Sequence, residues 1–546
     1  MMQLASRIDE PRGGMPPSGG ASPAGVKHGR SLRTLLAALG SEATLARGDG
    51  GTTIEQVTAD SRRVVPGSLF VAVPGTKTNG LEYVGDACAR GAAAVAIAHD
   101  ADASTSDLGI DPRVAVIRCA VPSRFLALAA AELAGRPSER LTMVGITGTS
   151  GKTTTSYLLE SIFRAAGRAT GVVGTIEYRF PGHVEAAPLT TPDAVELQTL
   201  LARMVDVGVS HVAMEVSSHA LAQDRVAGVS FDVGVFTNCS RDHLDYHGDL
   251  EGYLAAKARL FKELLPASSK KDAAAVLNAE DARVMSLASD LRVPIVTFGK
   301  GGDVSCRRLE ADMSGLAGTL DVAGTELAFR SRLVGTPHLM NILAATAAAH
   351  RLGIAHDAIR AGIENLAVVP GRLEAIDMGQ PFAVIVDYAH KPDALERSLT
   401  SLRELTRGRL IVTFGCGGDR DKGKRPLMGE IAGRLADVVI VTSDNPRTED
   451  PMAIIAAIED GVRAANRTRV AQQALGQTGH ADGYVVVPER RAAIQLAVEI
   501  AREGDLVLIT GKGHEDYQIV GTTKHHLDDR EEARNALRGR GFVGRG

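Results

Sequence analysis

A glycine-rich stretch, residues 145–155, carries the residue types that bind nucleotide phosphates. A β-rich apolar segment precedes it and an amphipathic helical pattern follows it, an order that presents backbone N–H groups to phosphate oxygens. Lys152 would reach the terminal phosphates, and the Thr153 hydroxyl would bind Mg²⁺. Ile146 stands where the general P-loop pattern has a glycine, so the sequence predicts a nucleotide-binding loop of a variant type.

Two polar positions after predicted strands could complete a metal site beside this loop. Glu215 lies at the end of an apolar run, and a carboxylate at the tip of a buried strand suits a second contact to Mg²⁺. The alternative is a structural, hydrogen-bonded carboxylate. Residues 238–247 are rich in Asp and His, and a neutral His243 nitrogen could join the metal, although Mg²⁺ prefers oxygen.

Lys257 falls on the apolar face of a predicted helix. On a helical wheel of residues 253–265 it lies among Leu, Phe and Tyr side chains, whereas Arg259, Lys262 and Glu263 lie opposite. Burial disfavours the ammonium form of lysine. Lys257 could extend its amine out of this face into water, or it could be held neutral and act as a nucleophile. The pattern alone leaves both possibilities open.

Four polar loops follow predicted strands in the C-terminal third of the chain. In open α/β sheets, ligands bind beyond the carboxyl ends of the strands, so we expect these loops to form one site. Each loop could instead be an ordinary exposed connection. The loops are residues 387–390, 415–420, 444–447 and 511–515.

The elements that must position these residues predict an α/β protein of three domains, since 546 residues exceed one core. A Gly-, Pro- and Ser-rich tail, residues 1–30, is predicted to be disordered. A small α/β domain would span 31–137, a central P-loop domain with a mostly parallel sheet 138–369, and a Rossmann-like domain 370–546. Between residues 296 and 333 we expect shorter, polar strands.

Composition excludes several classes of protein. The net charge is −4 and Trp is absent, which argues against nucleic acid as a partner. The five cysteines are scattered without metal-ligand spacing, which predicts a reducing, cytoplasmic compartment. No apolar run approaches the roughly 18 residues of a membrane span, and the N-terminus lacks the apolar region of a secretory signal.

Together, the motifs resemble the Mur ligases of peptidoglycan synthesis. The resemblance covers all three predicted domains in the order of the family and leaves out only the tail. Ile146 then marks the loop subtype of these ligases. The segments that carry the resemblance are 147–153, 215–219, 237–245, 253–257, 338–341, 371–372, 387–390, 444–447 and 511–516.

This resemblance implies ATP-dependent amide formation through an acyl phosphate that an incoming amine attacks. Implied ATP-site positions are Gly148, Thr149, Ser150, Gly151, Lys152, Thr153, Thr154, Asn341, Arg372 and Asp387. Lys152, Lys257, His243 and Glu215 would be catalytic, and Thr153, Glu215, His243 and Lys257 would bind two Mg²⁺ ions. In the family, the lysine that matches Lys257 is carbamylated by CO₂ (N6-carboxylysine), which would make it a carboxylate-like ligand.

The implied substrates are UDP-N-acetylmuramoyl-L-alanyl-D-glutamate and meso-diaminopimelate. Positions matching the UDP-muramoyl-dipeptide site are Ala59, Ser61, Thr76, Lys77, Thr78, Thr190, Thr191, Ser217, Gln223 and Arg225. Positions matching the diaminopimelate site are Arg420, Asp444, Asn445, Pro446, Arg447, Gly511 and Glu515. Because lysine lacks the second carboxylate, it would leave an arginine unpaired at a cost of about 3–5 kcal/mol, which favours diaminopimelate.

Other readings of these motifs remain open. An L-lysine-adding ligase and a folylpolyglutamate synthetase-like ligase would share the phosphate loop and the carbamylated lysine. The folylpolyglutamate synthetase-like activity does not account for the 444–447 loop. A nucleotide-binding regulator would not need Lys257 and Glu215 intact, and a plain ATPase or kinase would not need the C-terminal loops. A monomer without nucleic-acid or membrane partners is the expectation.

Overall fold

In the residues that the computed structural model describes (29–75, 78–101, 108–475 and 483–544), three large β-sheets follow one another along the chain. They have five, eleven and seven strands, and helices pack against them. The predicted α/β class is therefore confirmed. The predicted tail falls almost entirely in residues 1–28, which lie outside the described part.

The first sheet has the order β2-β7-β6-β5-β4, parallel except for β2. Its inner strands are continuous apolar runs, as expected for strands that are covered on both faces. The strands in this part of the chain, of which β1 and β3 form a separate pair, are β1 (Arg30–Ser31), β2 (Ala43–Arg47), β3 (Thr53–Ile54), β4 (Gln56–Thr58), β5 (Ser68–Val71), β6 (Ala94–Ala98) and β7 (Ala115–Cys119). The helices are α1 (Leu32–Leu39), α2 (Val84–Ala89) and α3 (Pro122–Leu133).

The second sheet contains the phosphate loop. Its strands are β8 (Thr142–Thr147), β9 (Thr170–Val173), β10 (Glu177–Phe180), β11 (His183–Ala186), β12 (His211–Glu215), β13 (Val233–Phe236), β14 (Ala274–Asn278), β15 (Ile295–Phe298), β16 (Val304–Asp312), β17 (Gly315–Val322) and β18 (Thr325–Ser331). Its helices are α4 (Lys152–Ala165), α5 (Ala194–Asp206), α6 (Ser218–Ala222), α7 (Leu244–His247), α8 (Leu250–Arg259), α9 (Ala282–Met285), α10 (Pro337–Arg351) and α11 (His356–Asn365). A π-helical turn, Leu260–Leu264, continues α8.

The strand order β11-β10-β9-β12-β8-β13-β14-β15-β16-β17-β18 is parallel from β9 to β16 and antiparallel at both ends. Alternate residues of β8 enter different cores. Met143 packs in the cluster that contains α5, whereas Val144 and Ile146 pack in the cluster that contains α4, α10 and α11. The sheet is therefore covered on both faces, as the alternation of strands and helices predicts.

The prediction of shorter strands after residue 296 was wrong. Strands β16, β17 and β18 have nine, eight and seven residues, longer than β9 or β13, and form an antiparallel extension of the sheet. One face of this extension is open to water, so buried and exposed positions alternate along β18. That alternation brings many polar residues into the sequence, and we interpreted them as breaks between shorter strands.

The third sheet has the order β19-β20-β25-β21-β22-β24-β23 and is parallel apart from β19. A separate hairpin, β26–β27, follows it. The strands are β19 (Glu374–Ala375), β20 (Ala383–Asp387), β21 (Leu410–Phe414), β22 (Val438–Val441), β23 (Thr468–Arg469), β24 (Gly483–Val486), β25 (Leu506–Thr510), β26 (Tyr517–Val520) and β27 (Thr523–His526), and the helices are α12 (Pro392–Leu405), α13 (Lys424–Leu435), α14 (Pro451–Ala464), α15 (Arg490–Ile500) and α16 (Asp529–Gly539).

Parallel register places the functional loops at common sheet edges. In the central sheet, Glu215 is the partner of Ile146 and Phe236 is the partner of Thr147, so three strands end beside the phosphate loop. In the C-terminal sheet, Asp387 and Phe414 are both partners of Thr510. The loops that follow these strands emerge together at each edge.

The contact between α11 and α4 tests how tightly the phosphate-loop helix is held. A Cβ added at Gly362 would collide with the backbone of Ile162, and the Ser161 hydroxyl donates to the Gly362 carbonyl at 2.6 Å. Gly362→Ala should lower the free energy of unfolding by about 1–3 kcal/mol, because α11 must move away from α4. In the control, Gly539→Ala, the new Cβ has no neighbour within 4 Å, so stability should hold or rise. Equal stabilities of the two variants in urea would contradict this packing.

Candidate active site

A cleft of about 320 Å³ lies where the central and C-terminal sheets meet. Strand ends of the central sheet form one wall, and the segment from β20 into α12 forms another. The structure therefore brings most of the predicted nucleotide and metal residues together. Those that line the cleft are Thr149, Ser150, Gly151, Lys152, Thr153, Thr154, Thr190, Glu215, Ser217, His243, Lys257, Asn341, Arg372 and Asp387.

The phosphate loop is held open by contacts to the end of β13. Gly148 and Gly151 have φ values of 143° and 89°, a region that favours glycine. The Thr149 amide donates to the Asn238 carbonyl, and the Ser150 amide donates to Asn238 Oδ1, each at 2.9 Å. The loop shape is thus fixed before any ligand binds.

Two lysine amines meet at one carbonyl in this loop. Lys152 Nζ donates to Gly148 O at 2.7 Å, and Lys257 Nζ donates to the same oxygen at 3.0 Å. Burial lowers the pKa of Lys152 to about 8, although Glu215 opposes the shift. Two ammonium groups that share one acceptor repel each other, so this position favours an anion that can lie between them.

Lys257 lies on the apolar face of its helix, as the helical wheel indicates, and of the two possibilities that the wheel left open, the structure shows a buried amine that does not extend into water. Its residue is 1% exposed, and its Nζ lies 4.5 Å from the centre of the Tyr253 ring. Burial, and then the neighbouring Lys152, lower the pKa of Lys257 well below its usual range. Among the described residues no carboxylate lies within 4 Å of its amine. A neutral amine with a free lone pair is the form that reacts with electrophiles.

Glu215 is buried, and hydrogen bonds fix both of its oxygens. Oε1 accepts from the Thr175 amide at 2.9 Å. Oε2 accepts from the Thr175 hydroxyl at 2.9 Å and from the Thr153 hydroxyl at 3.2 Å. A carboxylate and a hydroxyl placed side by side at the phosphate loop are oxygen donors of the kind that Mg²⁺ takes.

In the described part of the chain, no group of three or more His, Cys, Asp or Glu residues is placed to hold a metal ion by itself. Mg²⁺ usually binds through one or two protein carboxylates and completes its shell with phosphates and water. Thr153 and Glu215 fit such a site. His243 lines the same cleft, where its Nε2 lies 3.2 Å from Asp242 Oδ2.

The C-terminal sheet closes the cleft through polar contacts across the interface. Arg372 donates to the Thr153 hydroxyl at 3.2 Å, and its guanidinium lies 4.3 Å from the centre of the Tyr388 ring. Lys391 forms an ion pair with Asp242. The central loop and the C-terminal segment therefore contact one another directly in this conformation.

Asp387 and Asn341 lie at the same interface. Asp387 Oδ1 accepts from the Leu373 amide at 3.1 Å, and Oδ2 accepts from the Ser398 hydroxyl at 2.7 Å. Asn341 Nδ2 donates to the Pro337 carbonyl at 3.3 Å, and its Oδ1 lies against Gly151. Both side chains are held by local bonds at the edge of the cleft.

The five residues matched to the muramoyl-dipeptide form one hydrogen-bonded group beside Glu215. The Thr191 hydroxyl donates to the Glu215 carbonyl at 2.9 Å and accepts from the Ser217 amide at 3.0 Å. Arg225 donates to the Thr191 carbonyl at 3.1 Å and to Gln223 Oε1 at 2.6 Å. Thr190 lies within 3.2 Å of the Thr175 hydroxyl that holds Glu215.

The residues matched to the UDP end lie apart from this group. Ala59, Ser61 and Thr78 belong to the first sheet and its loops and are not among the residues that line the cleft. Ser61 is buried at the start of a 3₁₀ turn, where it bonds Asp86. Thr76 and Lys77 lie outside the described residues.

Two arginines lie side by side at the ends of β21 and β22. A Cβ at Gly417 would lie 3.0 Å from Arg447 and 3.9 Å from Arg420. Arg447 donates to the Gly418 carbonyl at 2.8 Å, and Arg420 donates to the Asp419 carbonyl at 2.9 Å. In the described residues neither has a carboxylate within 4 Å. Burial and the neighbouring Arg420 lower the pKa of Arg447, so an added carboxylate would relieve their repulsion.

The remaining matched residues surround these arginines with negative charge. Asp444, Asn445 and Pro446 are buried between β22 and the hairpin, and Asn445 Nδ2 donates to Glu515 Oε2 at 3.0 Å. A Cβ at Gly511 would lie 2.7 Å from Asp444 Oδ2, so glycine allows this close approach. The arrangement offers guanidinium groups for a carboxylate and carboxylates for an ammonium.

Sequence reasoning missed several residues of this site. Thr175 follows β9 and could have been found by the strand-end rule that we applied elsewhere. Tyr388 and the buried Lys512 lie in two of the predicted loops, 387–390 and 511–515, but nothing in the sequence indicated their contacts with Arg372 and with Asp444 and Glu515. Lys391 was missed because its partner, Asp242, lies far away in the chain.

Comparisons with known proteins agree with this architecture. Three family models match consecutive parts of the chain: "Mur ligase family, catalytic domain" at residues 53–145, "Mur ligase middle domain" at 146–349 and "Mur ligase, glutamate ligase domain" at 371–513. The matched segments contain four of the five strands of the first sheet, the whole C-terminal sheet and, taken together, the central sheet.

Similar proteins point to one branch of the same group. The UDP-N-acetylmuramoyl-L-alanyl-D-glutamate–2,6-diaminopimelate ligase of Geobacter metallireducens is 48% identical over 92% of this chain and 97% of its own length. A solved structure of a ligase with the same name has a TM-score of 0.67 and 31% identity, covering 94% of this chain and all of that one. Folylpolyglutamate synthase of Mycobacterium tuberculosis has a TM-score of 0.56 at 20% identity, covering 76% and 95%, which shows a shared fold alone.

The Lys391–Asp242 pair gives a test of how the cleft is held closed. The side chains are 18% and 12% exposed, so Lys391→Met would leave a half-buried carboxylate without its cation. We expect closure to weaken by about 1–3 kcal/mol, seen as a larger radius of gyration in X-ray scattering. The control, Lys422→Met, removes an exposed lysine that pairs with Glu449 within the C-terminal part. An unchanged radius in Lys391→Met would show that this ion pair does not hold the sheets together.

Proposed function

This chain belongs to the Mur ligase family, and we propose that it joins meso-diaminopimelate to UDP-N-acetylmuramoyl-L-alanyl-D-glutamate at the expense of ATP. The observation that carries the choice of amino acid is the pair Arg420 and Arg447, which lacks a carboxylate partner within the described residues and lies beside Asp444 and Glu515. Such a site suits a substrate with an amino-acid centre at its far end.

Each of the three sheets, with its helices, would bind a different ligand. We assign residues 31–137 to binding of the UDP end, 138–369 to ATP, and 370–546 to the amino acid. Ala59, Ser61 and the loop around Thr78 are the proposed UDP contacts, with Thr76 and Lys77 proposed from the sequence alone. Thr190, Thr191, Ser217, Gln223 and Arg225 would bind the muramoyl-dipeptide, since they form one group beside the catalytic cleft.

ATP would bind with its phosphates on the loop formed by Gly148, Thr149, Ser150, Gly151, Lys152, Thr153 and Thr154. The loop supplies backbone N–H groups, and Lys152 supplies a cation whose lowered pKa a bound phosphate would raise again. Arg372 reaches the same place from the C-terminal sheet through its bond to Thr153. Asn341 and Asp387 complete the proposed nucleotide site at the interface.

The proposed reaction proceeds in two steps, phosphoryl transfer and then amide formation. A carboxylate oxygen of the D-glutamyl residue attacks the γ-phosphorus of ATP, and the bond to the ADP oxygen breaks, which gives an acyl phosphate. The amine of diaminopimelate then attacks the acyl carbon, loses a proton, and expels phosphate from the tetrahedral intermediate to leave an amide. Lys152 and Arg372 stabilise the negative charge that develops on the phosphoryl oxygens.

Thr153, Glu215, His243 and Lys257 are the proposed ligands of two Mg²⁺ ions. When bound, Mg²⁺ would neutralise phosphate oxygens and polarise the transferred group. Lys257 would serve as a ligand after its neutral amine attacks CO₂, forming a C–N bond and releasing a proton to give a carbamate. The burial of Lys257, the lowered pKa of its amine and the nearby Lys152 support this, since a carbamate would replace one of two competing cations with an anion beside the other.

The proposed cellular setting follows from the substrates, which are precursors made in the cytoplasm. In the described part of the chain, no helix is long and apolar enough to cross a membrane. We propose a cytoplasmic enzyme that acts as a monomer.

The L-lysine-adding ligase is the main alternative. Lysine has no second carboxylate, so it would leave the exposed Arg420 and the half-buried Arg447 adjacent to each other without a carboxylate to relieve their repulsion. A folylpolyglutamate synthetase-like activity is less consistent, because the first sheet and the 444–447 loop would then have no role.

The assignment is tested by phosphate release with UDP-muramoyl-dipeptide, ATP and a series of amino acids. Turnover should require meso-diaminopimelate, and lysine should be poorer by at least about 100-fold in kcat/KM because two guanidinium groups stay unpaired. Arg447→Ala should lose most of this discrimination, whereas Arg434→Ala, which removes an arginine that pairs with Glu396 and does not line the cleft, should keep it. Absence of turnover with diaminopimelate would refute the proposed function, and a preference for lysine would refute the arginine argument alone.

Lys257→Ala tests the carbamate. Activity should fall by at least about 1,000-fold, because a metal ligand and an anion are lost together. Formate or acetate should restore part of it by entering the space between Lys152 and the metal. The matched control is Lys262→Ala, which removes an exposed lysine paired with Asp290 just after the same helix and should keep full activity. Normal turnover in Lys257→Ala would exclude a carbamate at this position.

A further inference from the structure

Lys512 is a fully buried cation that none of the proposed steps uses. Its side chain is 0% exposed, so it cannot touch a ligand in the cleft without a rearrangement. Its Nζ donates to Asn445 Oδ1 at 3.1 Å and lies 3.6 Å from Glu515 Oε2 and 4.0 Å from Asp444 Oδ1. A buried ammonium is costly unless it is paired, and all three partners belong to the proposed amino-acid site.

The hydrogen bonds of Asn445 fix the direction of its amide. Its Oδ1 accepts from Lys512 and from the Ile519 amide, at 3.1 and 2.9 Å. An ammonium and a backbone N–H can only donate, so the oxygen must face them and the NH₂ must face the other way. That NH₂ donates to Glu515 Oε2 at 3.0 Å, which stabilises Glu515 as an acceptor, the ionised carboxylate.

Lys512 is also the cation that contacts this carboxylate cluster most directly. In the described part of the chain, it is the one Lys or Arg side chain within 4 Å of Asp444 or Glu515. Arg490 forms an ion pair with Asp529, and both side chains are 0% exposed. Arg447 donates to the Gly418 carbonyl. The charged and titratable groups that face Glu515 are Asp444, Lys512, Arg447, Arg490, Tyr388 and Tyr517.

We infer that Lys512 is the positioning residue that holds Asn445 and Glu515 in the orientation and charge that receive the ammonium of the amino-acid substrate. The inference rests on the proposed function and deepens it. The ammonium concerned is that of the non-reacting end, whose carboxylate would lie on Arg420 and Arg447. Lys512 acts on it through Glu515, without touching it.

The charges around Glu515 predict the direction in which loss of Lys512 shifts the pH dependence of amino-acid binding. Burial, and then the adjacent Asp444, raise the pKa of Glu515, and Lys512 opposes that rise. Glu515 binds an ammonium while it is ionised, so affinity for the amino acid is lost as pH falls through its pKa. Without Lys512 the pKa rises further, and the loss begins at a higher pH.

The experiment measures KM for diaminopimelate, ATP and UDP-muramoyl-dipeptide in wild type and Lys512→Met, between about pH 6 and pH 9. In Lys512→Met the KM for diaminopimelate should rise about tenfold at neutral pH, and the midpoint of its acid limb should move up by about one unit. The other two KM values, and kcat at saturation, should change less than about threefold. Lys512→Gln, which keeps a donor for Asn445 but carries no charge, should show the same displacement of the acid limb.

The matched control is Lys524→Met. Lys524 lies 4.3 Å from the centre of the Tyr517 ring, which Lys512 also faces at 5.6 Å, but it is exposed on the hairpin and contacts neither carboxylate. This variant should keep the wild-type KM values and pH profile.

The outcomes separate this inference from the proposed function. A wild-type KM and acid limb in Lys512→Met, with diaminopimelate turnover intact, would overturn the role of Lys512 and leave the function standing. Equal losses for all three substrates in both Lys512 variants, or a fall in melting temperature that explains them, would also overturn it in favour of a purely structural lysine. If wild type uses another amino acid, the proposed function fails, and the same pH profile measured with that amino acid decides the role of Lys512.

Discussion

The active site depends on one electrostatic constraint, the approach of two lysine amines to the single carbonyl of Gly148. The amines of Lys152 and Lys257 lie 2.7 and 3.0 Å from this oxygen, and Lys257 is 1% exposed. Two positive charges this close repel each other, so burial and the neighbouring Lys152 both lower the pKa of Lys257 well below its usual range. The same arrangement favours phosphate on one side and, in the proposed mechanism, a carbamate on the other.

The surrounding structure can be understood as support for this arrangement. Parallel strands β8, β12 and β13 end at one edge, so Glu215, Thr153 and Asn238 reach the loop from separate parts of the chain. The C-terminal sheet repeats the strategy at its own edge, where two arginines without carboxylate partners among the described residues face Asp444 and Glu515. At each edge, charged side chains lie without a full set of opposite charges, which a ligand would supply. The ion pair between Lys391 and Asp242 joins the two edges.

The sequence predicted what local patterns can encode. Glycine spacing indicated the phosphate loop, and helical periodicity indicated that Lys257 is buried, because both signals lie within one turn or one helix. It could not predict the Gly148 carbonyl as the meeting point of two amines, since that requires β8 and α8 to be adjacent in space. For the same reason, the sequence could not predict the hydrogen bond of Thr175 to Glu215 or the orientation of Asn445. Strands β16 to β18 were misjudged because one face of that antiparallel extension is open to water, and its polar positions are typical of loops as well.

The shared carbonyl also couples the ligands to one another. The Lys152 amine, with its pKa of about 8, is mostly protonated at neutral pH, and its charge disfavours an ammonium at Lys257. A carbamate on Lys257, as we propose, would instead be attracted by Lys152. Phosphate oxygens would be attracted by Lys152 as well but would repel the carbamate, so both anions can bind together only with a further cation such as Mg²⁺. Because both amines are held by the folded loop and α8, this coupling needs no change of fold.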